Sequence, residues 1–317
     1  MENPSLLISG SVVTLGSLMI DHIVRSGGAR LKEGFIRVGV CGLLLVSVTL
    51  IGQDSDADLL YKRTISAYNA GKLDEAMELA REAISKEKKD PKLYLARGYI
   101  FQYQREYQKA VDDFTKVVEL DPSSVDAFQR RGEENFKLAK FKESVADFEK
   151  VVTLQPQRKP YHWQLGISYY YTRQHKEGQA LFESHQTVNS SDVENAVWHY
   201  LCVANALGLD EAKKRLLPIP NDTRVPMMQV YALFGGKGTE EDVIKKAHEG
   251  RVIGGARSRQ IFYAHLYLGI YHEILGNDEK AYDYIKKAAQ QYKENGYMGQ
   301  VARAHKIWLD RKRSSND

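Results

Sequence analysis

Histidine and cysteine are the side chains best suited to metal ligation or nucleophilic attack, and here their spacing argues against both. His162, His175, His185 and His199 are separated by 13, 10 and 14 residues, whereas a helical metal pair sits at i and i+4. They read as scattered core or surface histidines. Cys202 lies in WHYLCVANAL. It reads as a buried inert thiol; the alternative, a reactive thiol, requires a site that favours the thiolate. Gly235-Gly236-Lys237-Gly238 is glycine-rich but lacks the G-x-x-x-x-G-K-[ST] frame that cradles phosphate. It reads as a helix C-cap and turn. Asp112-Asp113 and Glu240-Glu241-Asp242 read as helix-surface or first-turn acids. Nowhere is a nucleophile paired with a base. The expectation is no catalytic, metal or cofactor-binding residues, no cofactor and no enzymatic activity.

The spacing that does recur is structural. Gly98, Gly132 and Gly166 fall 34 residues apart, as do Phe114, Phe148 and Phe182, and Pro122 and Pro156 are one such step apart. Tyr94 and Phe128 keep the same register. A period of this length specifies stacked helix hairpins, an all-α solenoid, and therefore a binding module. Glycine inside a helix costs about 1 kcal/mol relative to alanine, so its recurrence implies a partner helix too close for a Cβ. Large apolar residues fill the gaps between hairpins, and proline ends the second helix of each.

Composition narrows the class further. The chain has 317 residues, 43% hydrophobic and 27% charged, with a net charge of +4. Residues 1–52 hold four basic and three acidic residues, so the remainder carries +3. That is no nucleic-acid footprint. With only Cys41 and Cys202 present, removal of the N-terminal region would leave one thiol and no internal disulfide.

Two apolar runs precede the repeats. Val38–Gly52 follows Arg25, Arg30, Lys32 and Arg37, the layout of a secretory signal, with Gln53 the first residue after cleavage. Left uncleaved, it is a short membrane anchor that keeps its basic flank in the cytoplasm and the repeats outside. The earlier run, Ser5–Ile20, reads either as a second membrane helix or as a stretch upstream of a true start nearer Met19. The expected location is therefore exported, periplasmic or membrane-associated.

From Asp54 to Asp58 the chain is a polar linker offering helix N-caps. Leu60, Ile65 and Tyr68 then begin the first hairpin, and Ala76, Ala80 and Ala83 give its second helix a thin face. The next three hairpins carry Arg97-Gly98 and Phe114, Arg131-Gly132 and Phe148, and Leu165-Gly166 and Phe182. This pattern resembles tetratricopeptide repeats. The chain divides into an apolar region (1–52, signal or anchor around 38–52), a linker (53–58), four hairpins (59–190), degenerate helical hairpins (191–250), a closing repeat (258–294) and a capping helix (297–312). That last helix is amphipathic through Val301, Ala304, Ile307 and Trp308.

In such arrays the first helix of each hairpin lines the concave wall. The register places Leu95, Tyr99 and Gln102 there, then Gln129, Glu133 and Phe136, then Trp163, Ile167, Tyr170 and Tyr171. They do not form the Lys/Asn/Arg carboxylate clamp of chaperone-binding members. An aromatic, weakly polar groove suits a peptide with apolar anchors; the alternative is that Tyr99 and Tyr170 are inter-hairpin core.

The degenerate middle, VWHYLCVANALGLDEAKKRLL and PMMQVYALFGGKGTEEDVIKKA, followed by FYAHLYLGIYHEILGNDEKAYDYIKKA, is similar to the NlpI-type bacterial lipoproteins. The resemblance implies an exported, dimeric adaptor that brings a periplasmic protease and cell-wall hydrolases together. Cys41 follows Val-Gly-Val and lacks a lipobox, so that family's lipid anchor is not carried over. The alternative is a membrane-anchored assembly factor that self-associates through the first hairpin, without a peptide groove.

Overall fold

The computed structural model describes residues 55–250, 255–292 and 294–314. The expectations placed on residues 1–52 lie outside them. Among the described residues the structure is helical with no strand, and no helix is long and apolar enough to cross a membrane. The helices are α1 (Asp56–Asn69), α2 (Leu73–Lys86), α3 (Pro91–Tyr103), α4 (Tyr107–Leu120), α5 (Val125–Lys137), α6 (Phe141–Leu154), α7 (Trp163–Tyr171) and α8 (His175–Gln186). The series continues through α9 (Val193–Leu207), α10 (Leu209–Lys214), α11 (Met227–Phe234), α12 (Glu240–His248), α13 (Ala256–Ile274), α14 (Asp278–Gln290) and α15 (Tyr297–Ser314), with a 3₁₀ turn at Pro156–Tyr161. This is the stacked-hairpin solenoid that the period specifies.

Local chemistry sets the helix ends. Ser55 and Asp58 form a reciprocal capping box that starts α1, and Thr239 with Asp242 does the same for α12. Asp90 caps α3 ahead of Pro91 at the first helical position. The first helix of each hairpin ends in one turn geometry. Gly71, Arg105, Ala139 and Arg173, each 34 residues from the next, all have φ between +53° and +74°. At Arg105 its own amide bonds the Gln102 carbonyl and the Glu106 amide bonds the Phe101 carbonyl, the paired bonds of a left-handed helix stop. Gly236 repeats the arrangement, with the Lys237 amide on the Ala232 carbonyl, so the glycine-rich run is a cap and turn.

The recurrent glycines do what their spacing implies. A Cβ on Gly98 would lie 2.5 Å from Phe114, on Gly132 2.7 Å from Phe148, and on Gly166 2.6 Å from Phe182. Gly269 stands in the same relation to Ile285, again sixteen residues on. A second pair shares this step. Arg97 grips Asp113 through two bonds of 2.8 and 2.7 Å, and Arg131 grips Asp147 likewise. The third instance substitutes Leu165 and Leu181, both buried in one cluster. Asp113 is thus a buried partner and not the helix-surface acid expected from the sequence, whereas Asp112 is exposed.

The irregular middle packs as core. Helix α9 is buried without a break from Asn195 through Val203, as expected of a helix apolar all round. Cys202 is among its fully buried residues, and burial pushes its thiol well above the ordinary value. The loop before α11 is tied back by Arg224, which bonds Asp192, Glu194 and Asp222. Helix α15 closes the array on α14 and also turns inward, reaching α5.

Candidate peptide-binding surface

The concave wall is built from α1, α3, α5 and α7, and α15 divides it into a covered rear and an open front. At the rear, Phe136 is fully buried, with ring centroids 5.2 Å from Phe141 and 5.6 Å from Tyr297 of α15. Tyr171 stacks on Phe141 at 4.1 Å and its hydroxyl meets Nδ1 of His305 at 2.7 Å. Trp308 meets Tyr171 edge-on. Arg311 donates to the carbonyls of Ala139 and Leu138 at 2.9 and 3.2 Å. Ile167 and Tyr170 are buried, Tyr170 packing on Trp198 at 5.4 Å. Burial drives the Tyr170 hydroxyl well above its ordinary range. Trp163 stays half-buried, edge-on to Tyr297 at 4.7 Å. Phe136 and Tyr171 are therefore core beneath α15, and Ile167 and Tyr170 are buried in the same cluster.

The middle of the wall is a polar lattice. The Gln129 amide donates to Glu133 at 2.9 Å and to Gln164 at 3.0 Å. Its carbonyl accepts from Nε2 of His162 at 2.9 Å. His162 Nδ1 then accepts the Leu165 amide, capping α7. Burial lowers the pKa of His162 to about 4, so it is a neutral structural group. Burial alone would raise the Glu133 carboxyl, but Arg130, Lys137 and the two glutamine amides outweigh it and hold the group below its ordinary value. Tyr99 is buried under the Arg130 guanidinium, with its hydroxyl on Asp126. Gln102 bonds Glu134.

The front remains open. Tyr61, Tyr68 and Leu95 are half-buried, and Tyr103 is 60% exposed. Tyr68 and Tyr103 meet edge-on at 6.2 Å, and Lys92 lies over Tyr61. Tyr61, Tyr68 and Tyr103 are missing from the site expected from the sequence. The register could have found two of them, because Tyr61 and Tyr68 lie one period before Leu95 and Gln102.

No metal-holding group of three or more His, Cys, Asp or Glu residues occurs among the described residues. The fold and its wall define an α-solenoid with a concave face. Residues 91–124 and 125–158 each match the tetratricopeptide repeat, so the chain carries two tetratricopeptide repeats. A tetratricopeptide repeat protein from Parabacteroides merdae shares the fold, with 15% identity, a TM-score of 0.52, and coverage of 79% of this chain and 98% of that one. DnaJ protein P58IPK homolog A of Oryza sativa subsp. japonica is 30% identical over 73 residues, 23% of this chain but 15% of that protein. The first tetratricopeptide domain of Spaghetti (RPAP3), solved with an HSP90 peptide, is 27% identical over 33% of this chain and 82% of that one, with a TM-score of 0.32. Such repeats indicate a protein–protein interaction adaptor, of a family that is typically non-catalytic.

Proposed function

We propose that this protein is a non-catalytic adaptor that holds an extended or helical peptide of a partner along the open front of its concave wall. The observation that carries this is the open stripe of Tyr61, Tyr68, Leu95 and Tyr103. Tyrosine offers a large contact area at low entropy cost. Peptides selected for binding to the full chain should lose at least about tenfold in affinity for the variant carrying Tyr68→Ala and Tyr103→Ala, the loss of two interface anchors. Undiminished binding would place the partner elsewhere.

The similarity of the degenerate middle to NlpI-type proteins supports a finer reading. The adaptor works outside the cytoplasm, as a homodimer, on a periplasmic protease or cell-wall hydrolase. Residues 38–52 serve as signal or tether. N-terminal sequencing of the mature protein distinguishes these, since Gln53 as first residue means cleavage and export, whereas an intact terminus leaves a tether.

A further inference from the structure

A cavity of about 170 Å³ lies among α7, α8, α9 and the start of α15. The lining side chains with the most accessible surface are Trp163, Met298, His185, Asp192 and Glu194. The three polar ones offer acceptors. His185 is only 6% exposed, and its Nδ1 meets the Pro160 carbonyl at 2.8 Å. A carbonyl only accepts, so Nδ1 carries the hydrogen and Nε2, at the other end of the ring, holds the lone pair of the neutral imidazole. That nitrogen has no partner among the described residues, yet it is not sealed from solvent. Each Glu194 oxygen receives one bond, from Arg224 or from Tyr267, and a carboxylate oxygen has room for a second. Asp192 Oδ1 holds Arg224 and the Glu194 amide, but Oδ2 receives only Asn189 at 3.4 Å.

The same place is short of positive charge. Asp192, Glu194 and Asp222 share the single guanidinium of Arg224, and the N-terminus of α9 adds only about half a charge. Burial raises the Glu194 carboxyl to about 7, Asp192 adds to the rise, and Arg224 and Tyr267 offset it only in part. We propose that this cavity receives a lysine or arginine side chain of a partner protein. Its N–H groups meet His185 Nε2 and the two carboxylates, and its stem lies against Trp163 and Met298. Tryptophan is the aromatic side chain that attracts a cation best. A cavity of similar volume holds a benzene-sized guest, so the charged end and the methylenes behind it both have room. A metal ion does not suit the place, because the described residues bring together no group that could hold one. An acidic guest would add a fourth carboxylate to three that share one cation. The site is separate from the front stripe, so its failure would leave the front reading intact, and the reverse.

The test uses the full chain with ¹⁵N-labelled tryptophan and three capped tripeptides, Ala-Lys-Ala, Ala-Arg-Ala and Ala-norleucine-Ala. Norleucine keeps the lysine stem without its charge. At pH 8 at least one basic peptide should shift the Trp163 indole N–H saturably, and the tighter of the two identifies the guest. The norleucine peptide should bind about tenfold more weakly, the scale of one hydrogen bond to a charged group. Lowering the pH from 8 to 6 should weaken the basic peptide by up to about tenfold, because the guest must then displace the proton that Glu194 takes up. Protonation of His185 acts in the same direction. Of the other groups around Glu194 and Asp192, Asp222 is held below its ordinary value and Arg224, Tyr263 and Tyr267 above theirs, so none of these four titrates in that range. Glu194→Gln should lower the affinity of the basic peptide about tenfold and leave that of the norleucine peptide unchanged. A Trp163 signal that never moves, equal binding of basic and norleucine peptides, or a basic-peptide affinity that is flat from pH 8 to 6 overturns the proposal. The peptide and pH comparisons need no variant, so they decide even where Glu194→Gln fails to fold.

Discussion

Between pH 6.5 and about 4, the unfolded chain protonates His162 and the native chain does not. Protons therefore favour unfolding across that window. The neutral ring's contribution is fully present above pH 6.5, is lost as the pH falls through the window, and changes no further below about 4. The displacement corresponds to about 3 kcal/mol. His162→Asn should accordingly flatten the acid limb of the stability profile, measured by denaturant unfolding at steps from pH 7 to 4. An unchanged slope would mean that the native state protonates this ring readily. Histidine spacing argued against a metal role for His162. It could not show what the ring does, because Gln129 belongs to the previous hairpin and meets it only after stacking. The same holds for Asp113, beside the exposed Asp112 in sequence yet turned onto Arg97. The sixteen-residue step between those two was visible, and so was its repetition at Arg131 and Asp147. What hid the pair was the third hairpin's exchange of both partners for leucine.

At the scale of an element, the hairpin is held by a contact that forbids one methyl group. Gly132→Ala gains about 1 kcal/mol of helix propensity, yet its Cβ would lie 2.7 and 2.8 Å from two ring carbons of Phe148 and 3.2 Å from the Asp147 Cβ. Phe148 is fully buried, so the ring cannot swing out and α6 must move. Overpacking of this kind costs about 1–3 kcal/mol, and the expected net change is destabilising. Combining it with Phe148→Leu should recover part of the loss, so that the two changes are less than additive in thermal unfolding. Strict additivity would show that the two residues do not share the gap. The glycine–phenylalanine step was the most legible feature of the chain because it is strictly periodic. The left-handed turn seven residues further on was not legible. Glycine occupies it at Gly71 and Gly276, but Arg105, Ala139 and Arg173 occupy it elsewhere, and no composition rule marks those three as turn residues. Only the fixed length of the hairpin puts them there.

For the whole molecule, the decisive event is the inward turn of α15. Its apolar face was legible, and Val301 and Ala304 are indeed fully buried. Its destination was not, because an apolar stripe is satisfied equally by the end of an array or by a groove, and the contacts that decide it, Arg311 to Ala139 and His305 to Tyr171, join residues far apart in sequence. The docked helix behaves as a ligand the chain carries with it. Tyr297, His305 and Trp308 fill the place of peptide anchors against Phe136, Trp163 and Tyr171, and the helix adds two charge-assisted bonds to backbone carbonyls. Covalent linkage keeps its effective concentration high, on the order of millimolar. A peptide in solution must therefore outcompete it to reach the rear wall, while the front stays accessible. Removing residues 297–314 should lower the stability of α5 to α8 and expose Phe136 and Tyr171, seen as new binding of a hydrophobic dye. A synthetic peptide of residues 297–314 should then bind the shortened chain and suppress the dye signal, and it should not bind the full chain. The same peptide carrying Tyr297→Ala and Trp308→Ala should fail to do so. Equal binding of the wild-type peptide to both chains would show that the helix is a surface cap and that the rear wall is covered by something other than α15.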